Sequence, residues 1–198
     1  MSVLFEKVLP SATQSIRHDH EHIAALFHKF TPEVSPATCA ALVRNLCTAL
    51  EIHAQLEEEL FYPALRAAGL EDPVLNRSIP DHDEVRRLAS ELRSLDEQDD
   101  ELMPLLHELM RTVLHHVADE EAVLLPRAEQ LLGSERLVEL GAQMARRRAE
   151  LAGPHAGEMA HDMARIAPAK TAVLTLGAMT AAVLLAQAWR HRRGHHHL

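Results

Sequence analysis

The chain has 198 residues, enough for one helical domain with a full core and an appendage. Hydrophobic residues make up 47% and aromatic residues only 3%; the apolar residues are mostly Leu, Ala and Val, which favours helices over sheets. The formal net charge of -9 argues against a general nucleic-acid-binding protein, which needs a basic surface.

Turn signals predict two helices in the first 70 residues. The first follows Pro10-Ser11 and runs to about Phe30. The second begins at Ser35-Pro36, where Ser is a good N-cap and Pro fits the first helical position. It ends near Gly69, which suits a C-cap.

Three further helices are predicted before residue 152. The third begins at Asp72-Pro73, is kinked or restarted at Pro80 with Ser78 as a local cap, and fades in the acidic run 96–101. The fourth is capped by Asp99 or Asp100 and ends at Gly133. The fifth runs from Ser134 to about Leu151.

Four long helices with short connections predict an all-α fold, an antiparallel up-down-up-down four-helix bundle. We expect the bundle to occupy residues 1–133, an additional helix and linker residues 134–168, and a hydrophobic C-terminal helix with a basic tail residues 169–198.

An internal repeat links the two halves of the predicted bundle. The segments HAQLEEELFYP from His53 and HVADEEAVLLP from His116 both read His, three residues, Glu-Glu, four residues, Pro. Asp-His pairs ending at His20 and His82 precede them on the neighbouring helices. The repeat therefore predicts one helical hairpin used twice, with pseudo-twofold symmetry that brings the four histidines towards a common centre.

The repeat predicts a metal site. His53 and Glu57 are four residues apart and share a helix face, as do His116 and Glu120. A buried imidazole and a buried carboxylate both need partners, and a metal ion supplies them. A metal-free bundle with hydrogen-bonded core histidines is the competing interpretation. The predicted metal ligands are His20, His53, Glu57, His82, His116 and Glu120.

Helix register separates these ligands from neighbouring histidines. His20 and His116 align with apolar residues, whereas His18, His22 and His115 share faces with polar residues and are expected in solvent.

The polar neighbours of the predicted ligands receive separate assignments. Glu58 and Glu121 point about 100° away from the ligand face and are expected as outer-shell or surface groups. Asp19 and Asp81 either orient ligand imidazoles or are solvated. Tyr62, nine residues after His53, is placed on the opposite side of the helix in a packing or interface role.

The ligand pattern resembles the hemerythrin HHE cation-binding family over about residues 12–132. The resemblance implies a four-helix bundle and an oxo- or hydroxo-bridged pair of iron ions, with manganese or zinc as alternatives. Unlike the oxygen carriers, this chain has Arg86 four residues after His82, where they have a second histidine. It also ends the pattern with Glu120 after three intervening residues, where they have Asp after four.

These departures remove the fifth terminal imidazole and disfavour reversible oxygen carriage. The pattern is similar to a bacterial hemerythrin-like subgroup, which implies reaction with hydrogen peroxide or dioxygen in a catalase- or peroxidase-like or redox role connected with oxidative stress. The alternative is a non-catalytic module that senses, binds or stores oxygen, nitric oxide or iron.

The C-terminal region suggests a membrane anchor. Residues 171–189 contain no charged side chain and would span roughly 28 Å as a helix. Trp189 ends this segment, and three arginines follow it. A helix packed on the bundle is the alternative. With no signal peptide visible and two cysteines read as core thiols, the bundle is expected in the cytoplasm, held at the membrane if the anchor forms.

Overall fold

A computed structural model describes residues 9–96 and 98–166, and this part of the chain contains helices and no strand. Helix α1 is Ala12–Phe27. Helix α2 is continuous and consists of Pro36–Leu56, a π-helical turn Glu57–Phe61 (the first π segment) and Tyr62–Ala67. Helix α3 is Pro73–Ser94.

The second half repeats this pattern. Helix α4 consists of Leu102–Asp119, a π-helical turn Glu120–Leu124 (the second π segment) and the first part of Leu125–Ala152, up to a break at Gly133 with φ 70° and ψ 167°. We call residues 134–152 helix α5. A short 3-10 turn leads into helix α6, Ala156–Ile166.

The predicted starts of α1 and α2 and the predicted end of α2 are confirmed. Ser11 accepts a hydrogen bond from the Gln14 amide and forms a capping box with it. Ser35 accepts from the Thr38 amide ahead of Pro36. Gly69 follows α2 with φ 84°, a left-handed conformation that favours glycine.

Three details of the predicted helices are wrong. Helix α4 begins at Leu102 with Glu101 as its N-cap residue, not with Asp99 or Asp100. Helix α1 stops at Phe27 rather than Phe30. Ser78 is not a cap, because α3 runs unbroken through Pro80. The buried Ser78 hydroxyl instead donates to the Val74 carbonyl inside the helix.

The core has two apolar clusters with the candidate site between them. One contains Ile16, Leu56 and Leu124, and the other contains Ile23, Leu50 and Val113. On α1 and α4 every predicted ligand lies between a residue of one cluster and a residue of the other, as does His53 on α2, where Glu57 directly follows Leu56. The helices therefore bury a thin polar layer between two apolar ones, where each polar group needs a partner.

Helix α5 packs closely on the start of α1. A Cβ atom at Gly141 would lie 2.3 Å from the Pro10 carbonyl oxygen, so only glycine permits this approach. Leu137, Leu140 and Met144 of α5 are buried in the same cluster as Ile16.

The predicted C-terminal hydrophobic helix of residues 169–198, with the anchor 171–189, lies outside the described residues. Among the described helices, none combines the length and the apolar run that a membrane crossing requires. The up-down-up-down order of the bundle and the domain boundaries stay predictions.

Candidate metal centre

The structure brings all six predicted ligands together in the polar layer, and every one is buried. Their exposed fractions are between 0% and 6%. The six residues are His20, His53, Glu57, His82, His116 and Glu120.

Each buried carboxylate lies between two imidazoles. Glu57 Oε2 is 3.4 Å from the Nε2 atoms of both His53 and His82. Glu120 Oε2 is 3.2 Å from His20 Nε2 and 3.5 Å from His116 Nε2. The two glutamates thus occupy equivalent positions in the two halves of the repeat.

The six residues form two overlapping groups that could each hold a metal ion. In each group, one ligand atom per residue lies within 4.8 Å of all the others. The first group is His53, Glu57, His82 and His116, and the second is His20, His53, Glu57 and Glu120. His53 and Glu57 belong to both groups, so the two sites are adjacent.

Several buried ligand atoms have no hydrogen-bond partner, which suits a metal site. They include the Nε2 atoms of His20 and His53 and one oxygen each of Glu57 and Glu120. An unpaired buried polar atom is costly, and a bound cation would satisfy all four.

The spacing of two imidazoles also fits a shared ion. His82 Nε2 and His116 Nε2 are 3.0 Å apart. Two nitrogens about 2.1 Å from one ion and at right angles to each other would be about 3.0 Å apart. The same distance also allows one proton to be shared between the rings.

The outer nitrogen of each imidazole faces an acidic side chain. Glu121 Oε1 is 2.9 Å from His20 Nδ1, and Glu58 Oε1 is 2.8 Å from His82 Nδ1. Glu58 and Glu121 therefore contact the outer ring nitrogens and fix the ring orientation, which agrees with one of the two alternatives from the sequence.

Asp19 and Asp81 face the outer nitrogens of His53 and His116 in the same way, but at longer distances. Asp19 Oδ2 is 3.6 Å from His53 Nδ1, and Asp81 Oδ2 is 3.8 Å from His116 Nδ1. These are ion-pair rather than hydrogen-bond distances. The acidic partners of the imidazoles therefore repeat between the two halves, as the six predicted ligands do.

Arg86 has a clear role in this outer layer. It stands where the oxygen carriers have an additional histidine, and its Nη2 donates to both oxygens of Glu58 at 2.9 Å. The guanidinium therefore holds the carboxylate that orients His82, instead of leaving room for another ligand.

Tyr62 lies in the site, and its predicted place on the opposite side of the helix is wrong. Its hydroxyl is 3.0 Å from Glu57 Oε2 and 2.8 Å from Glu120 Oε1, and its ring stacks on His82. The first π segment changes the register, because the Tyr62 amide bonds to the carbonyl of Glu57, five residues back. Residues five apart then share a face.

The histidines that register assigned to solvent lie outside the polar layer. His18 and His22 are exposed. The side chain of His115 is 75% exposed, whereas that of its neighbour His116 is 4% exposed.

A family comparison agrees with this geometry. The family model "Hemerythrin HHE cation binding domain" matches residues 11–128, more than half of the chain. The chain belongs to the hemerythrin HHE cation-binding family. The match covers all six buried ligands and Tyr62, and it ends before α5.

Comparisons with two other proteins extend the picture. A crystal structure of a hemerythrin HHE cation binding domain-containing protein from Mycobacterium kansasii aligns with a TM-score of 0.65. It is 22% identical and covers 80% of this chain and 100% of its own, so the likeness concerns the fold. A protein described as a DNA nickase, from Nostoc sp., is 26% identical over 121 residues, which is 61% of this chain but only 34% of that protein.

Electrostatics within the hemerythrin site follow from burial and from the carboxylates. Burial lowers the pKa of His20, but the nearby carboxylate of Glu120 outweighs it and raises this pKa to about 9. Burial likewise opposes protonation of His82, yet Glu57 and Glu58 raise its pKa to about 9. A metal ion entering the site must therefore displace protons.

The pKa values of His116 and Tyr62 are also shifted by burial and by the neighbouring charges. Burial lowers the pKa of His116, and this effect outweighs the opposing carboxylates of Glu120 and Glu57. Burial, aided by the carboxylates of Glu57 and Glu120, raises the pKa of Tyr62 far above its ordinary value. The Tyr62 hydroxyl therefore keeps its proton.

Proposed function

We propose that this hemerythrin-family chain is a non-heme di-iron protein that reacts with hydrogen peroxide or dioxygen. The observation that carries the proposal is the convergence of four buried imidazoles and two buried carboxylates with unpartnered inner atoms. We assign His20, His53, Glu57, His82, His116 and Glu120 as the ligands of two ions.

The donor set supports iron. Mixed imidazole and carboxylate ligation suits iron, and manganese or zinc are the alternatives. Two adjacent groups that share Glu57 suit two ions with a bridging carboxylate. Six side chains shared by two ions leave coordination positions for a small ligand.

The chain's own residues orient and protect this chemistry. Iron, when bound, would supply electron transfer to or from peroxide or dioxygen. Glu58 and Glu121 hold the outer nitrogens of His82 and His20, so that each Nε2 lone pair faces inward. Tyr62 keeps a proton at its hydroxyl oxygen, within 3.0 Å of both buried carboxylates. The apolar clusters on either side limit the access of water.

A matched pair of variants tests the proposal. Wild-type protein loaded with ferrous iron should release oxygen from hydrogen peroxide faster than the same amount of free iron. His116→Gln should lose this activity together with bound iron, whereas His115→Gln, which alters the exposed neighbour, should keep both. Iron-loaded wild type no faster than free iron would refute the reaction with peroxide.

The alternative is a non-catalytic module that binds or stores oxygen, nitric oxide or iron. The same site geometry supports it, since open coordination positions serve binding as well as reaction. Stable optical changes on adding dioxygen or nitric oxide, without consumption of peroxide, would favour this alternative.

The nickase name of the Nostoc relative is a third candidate, and we do not favour it. The match covers about a third of that protein. A net charge of -9 also disfavours binding to the phosphate backbone. Incubating the iron-loaded protein with supercoiled plasmid would reveal any nicking.

The larger organisation is also proposed. We infer an antiparallel up-down-up-down bundle within residues 1–133, an additional helix and linker over 134–168, and attachment to the membrane through residues 171–189. Membrane fractionation of the protein with and without residues 169–198 tests the anchor. The truncated protein is expected in the soluble fraction and the full-length protein in the membrane fraction.

A further inference from the structure

Helix α5 reaches the candidate metal site although it lies beyond the family match of residues 11–128. Arg148 of α5 places Nη2 2.5 Å from Asp19 Oδ2. The same oxygen is 3.6 Å from His53 Nδ1. One carboxylate oxygen thus connects a guanidinium outside the matched domain with an imidazole of the site.

Close packing of α5 on α1 brings Arg148 to this place. Gly141 lies against the backbone of Pro10 to Ala12, at the start of α1. Arg148 lies seven residues after Gly141 and Asp19 lies seven residues after Ala12, about two helical turns in both cases. The two helices therefore run side by side in the same direction, and the glycine contact sets the register of the ion pair.

Arg148 completes a pattern seen at two other imidazoles. Arg17 holds Glu121, the partner of His20, with Nε 3.2 Å from Oε2. Arg86 holds Glu58, the partner of His82, in the same manner.

The remaining imidazole, His116, has no such support. Within the described residues, no ion pair joins Asp81 to an arginine, and the nearby Arg77 binds Asp119 instead. Three of the four outer carboxylates are thus held by an arginine, and the third arginine comes from α5.

We propose that Arg148 is a positioning residue of the metal site. It holds Asp19 against the outer nitrogen of His53, so that the inner nitrogen keeps facing the two carboxylates. Asp19 is 16% exposed and would otherwise be free to turn towards solvent. This proposal rests on the proposed role of His53 as a ligand.

Metal binding by arginine variants tests the proposal. In a competition titration of ferrous iron against a chromophoric chelator, Arg148→Gln should raise the dissociation constant about 10-fold, the lower end of the effect of outer-shell changes. Arg148→Lys should recover most of the affinity. The control is Arg147→Gln, which removes another α5 ion pair, with Glu59, but touches no carboxylate beside an imidazole.

A double-mutant cycle shows whether Arg148 acts through Asp19. If it does, Arg148→Gln should change the dissociation constant less than about 2-fold in an Asp19→Asn background. An equal 10-fold loss in both backgrounds, or an equal loss in Arg147→Gln, would overturn the proposal.

A measurement on the metal-free protein separates this proposal from the proposed function. The ring-nitrogen chemical shifts of His53 should change in Arg148→Gln and in Asp19→Asn but stay fixed in Arg147→Gln. Unchanged His53 shifts in both variants would refute the positioning role, whereas wild-type protein that binds no iron would refute the proposed function and leave the shift result standing.

Discussion

At the residue scale, each of the four imidazoles presents Nε2 to the interior of the bundle and Nδ1 to an acidic side chain. The repeated Glu-Glu pairs supply carboxylates to both ring nitrogens. Glu57 and Glu120 contact the inner nitrogens, and Glu58 and Glu121, which follow them directly, contact the outer ones. Adjacent residues on a helix point about 100° apart, so a doublet can serve two neighbouring places. This much could be predicted from the sequence.

Tyr62 could not be placed from a regular helix. Counting 3.6 residues per turn puts it opposite His53, but the first π segment turns it inward. The repeat did contain a signal, because Pro63 and Pro126 each follow a π segment. A proline clashes with the carbonyl four residues back in an α-helix, and widening the preceding turn relieves that clash.

Removing the Tyr62 hydroxyl should destabilise the metal-free protein. Tyr62→Phe keeps the ring that stacks on His82 but leaves Glu57 and Glu120 without their shared donor. We expect a loss of about 1–3 kcal/mol in the free energy of unfolding, measured by urea denaturation.

Ser94→Ala, which removes an exposed hydroxyl, serves as the control for Tyr62→Phe and should change stability by less than about 0.5 kcal/mol. Stability of Tyr62→Phe equal to that of wild type would show that the hydroxyl does not support the carboxylates.

At the element scale, the helix starts at Ser11, Ser35 and Asp72 followed from local chemistry, because their side chains accept hydrogen bonds from nearby amides. The continuity of α3 did not. Pro80 lies in the interior of a helix that tertiary packing keeps intact, with Ser78 buried inside it. Propensity indicates where a helix is weak, whereas packing decides whether it breaks.

Gly141→Ala tests the close contact between α5 and α1. Alanine has the better helix propensity, but its Cβ would lie 2.3 Å from the Pro10 carbonyl oxygen, so the helices must separate. We expect thermal or urea denaturation to show a loss of about 1–3 kcal/mol.

Gly157→Ala is the matched control for the α5 contact. This glycine is also helical, and a Cβ there meets nothing within 4 Å, so we expect a gain of up to about 1 kcal/mol. Equal effects of the two substitutions would contradict the close contact.

The attachment of α6 to α2 should depend on pH. Asp162 is 1% exposed and accepts two hydrogen bonds from Arg44, which lowers the pKa of this carboxyl. Because the folded pKa lies below the unfolded value, the stabilisation is present above about pH 4 and is lost as the pH falls through the folded pKa. Arg44 is partly exposed, so solvent screening limits the contribution to about 1 kcal/mol.

Urea denaturation of Asp162→Asn between pH 7 and pH 3 checks this sign. The stability difference from wild type should be largest at pH 7 and shrink towards pH 3. Glu139→Gln, in an exposed pair with Arg136, should show little difference at either pH. A difference for Asp162→Asn that grows with acidity would contradict the assigned sign.

At the scale of the whole molecule, a polar layer lies between two apolar clusters. Helix α5 packs on α1 and contacts Asp19 at the edge of this layer. The apolar neighbours of the histidines predict which of them are buried, and the repeat predicts which of them meet. The link from Arg148 to Asp19 could not be predicted, because it joins residues 129 positions apart without any sequence repeat.

The most direct test of the central claim is anomalous diffraction from crystals of the iron-loaded protein, recorded on both sides of the iron absorption edge. The account predicts two peaks among His20, His53, Glu57, His82, His116 and Glu120, present above the edge and absent below it. A single peak, no peak, or iron bound elsewhere while these six side chains stay in contact only with one another would contradict the two-metal site.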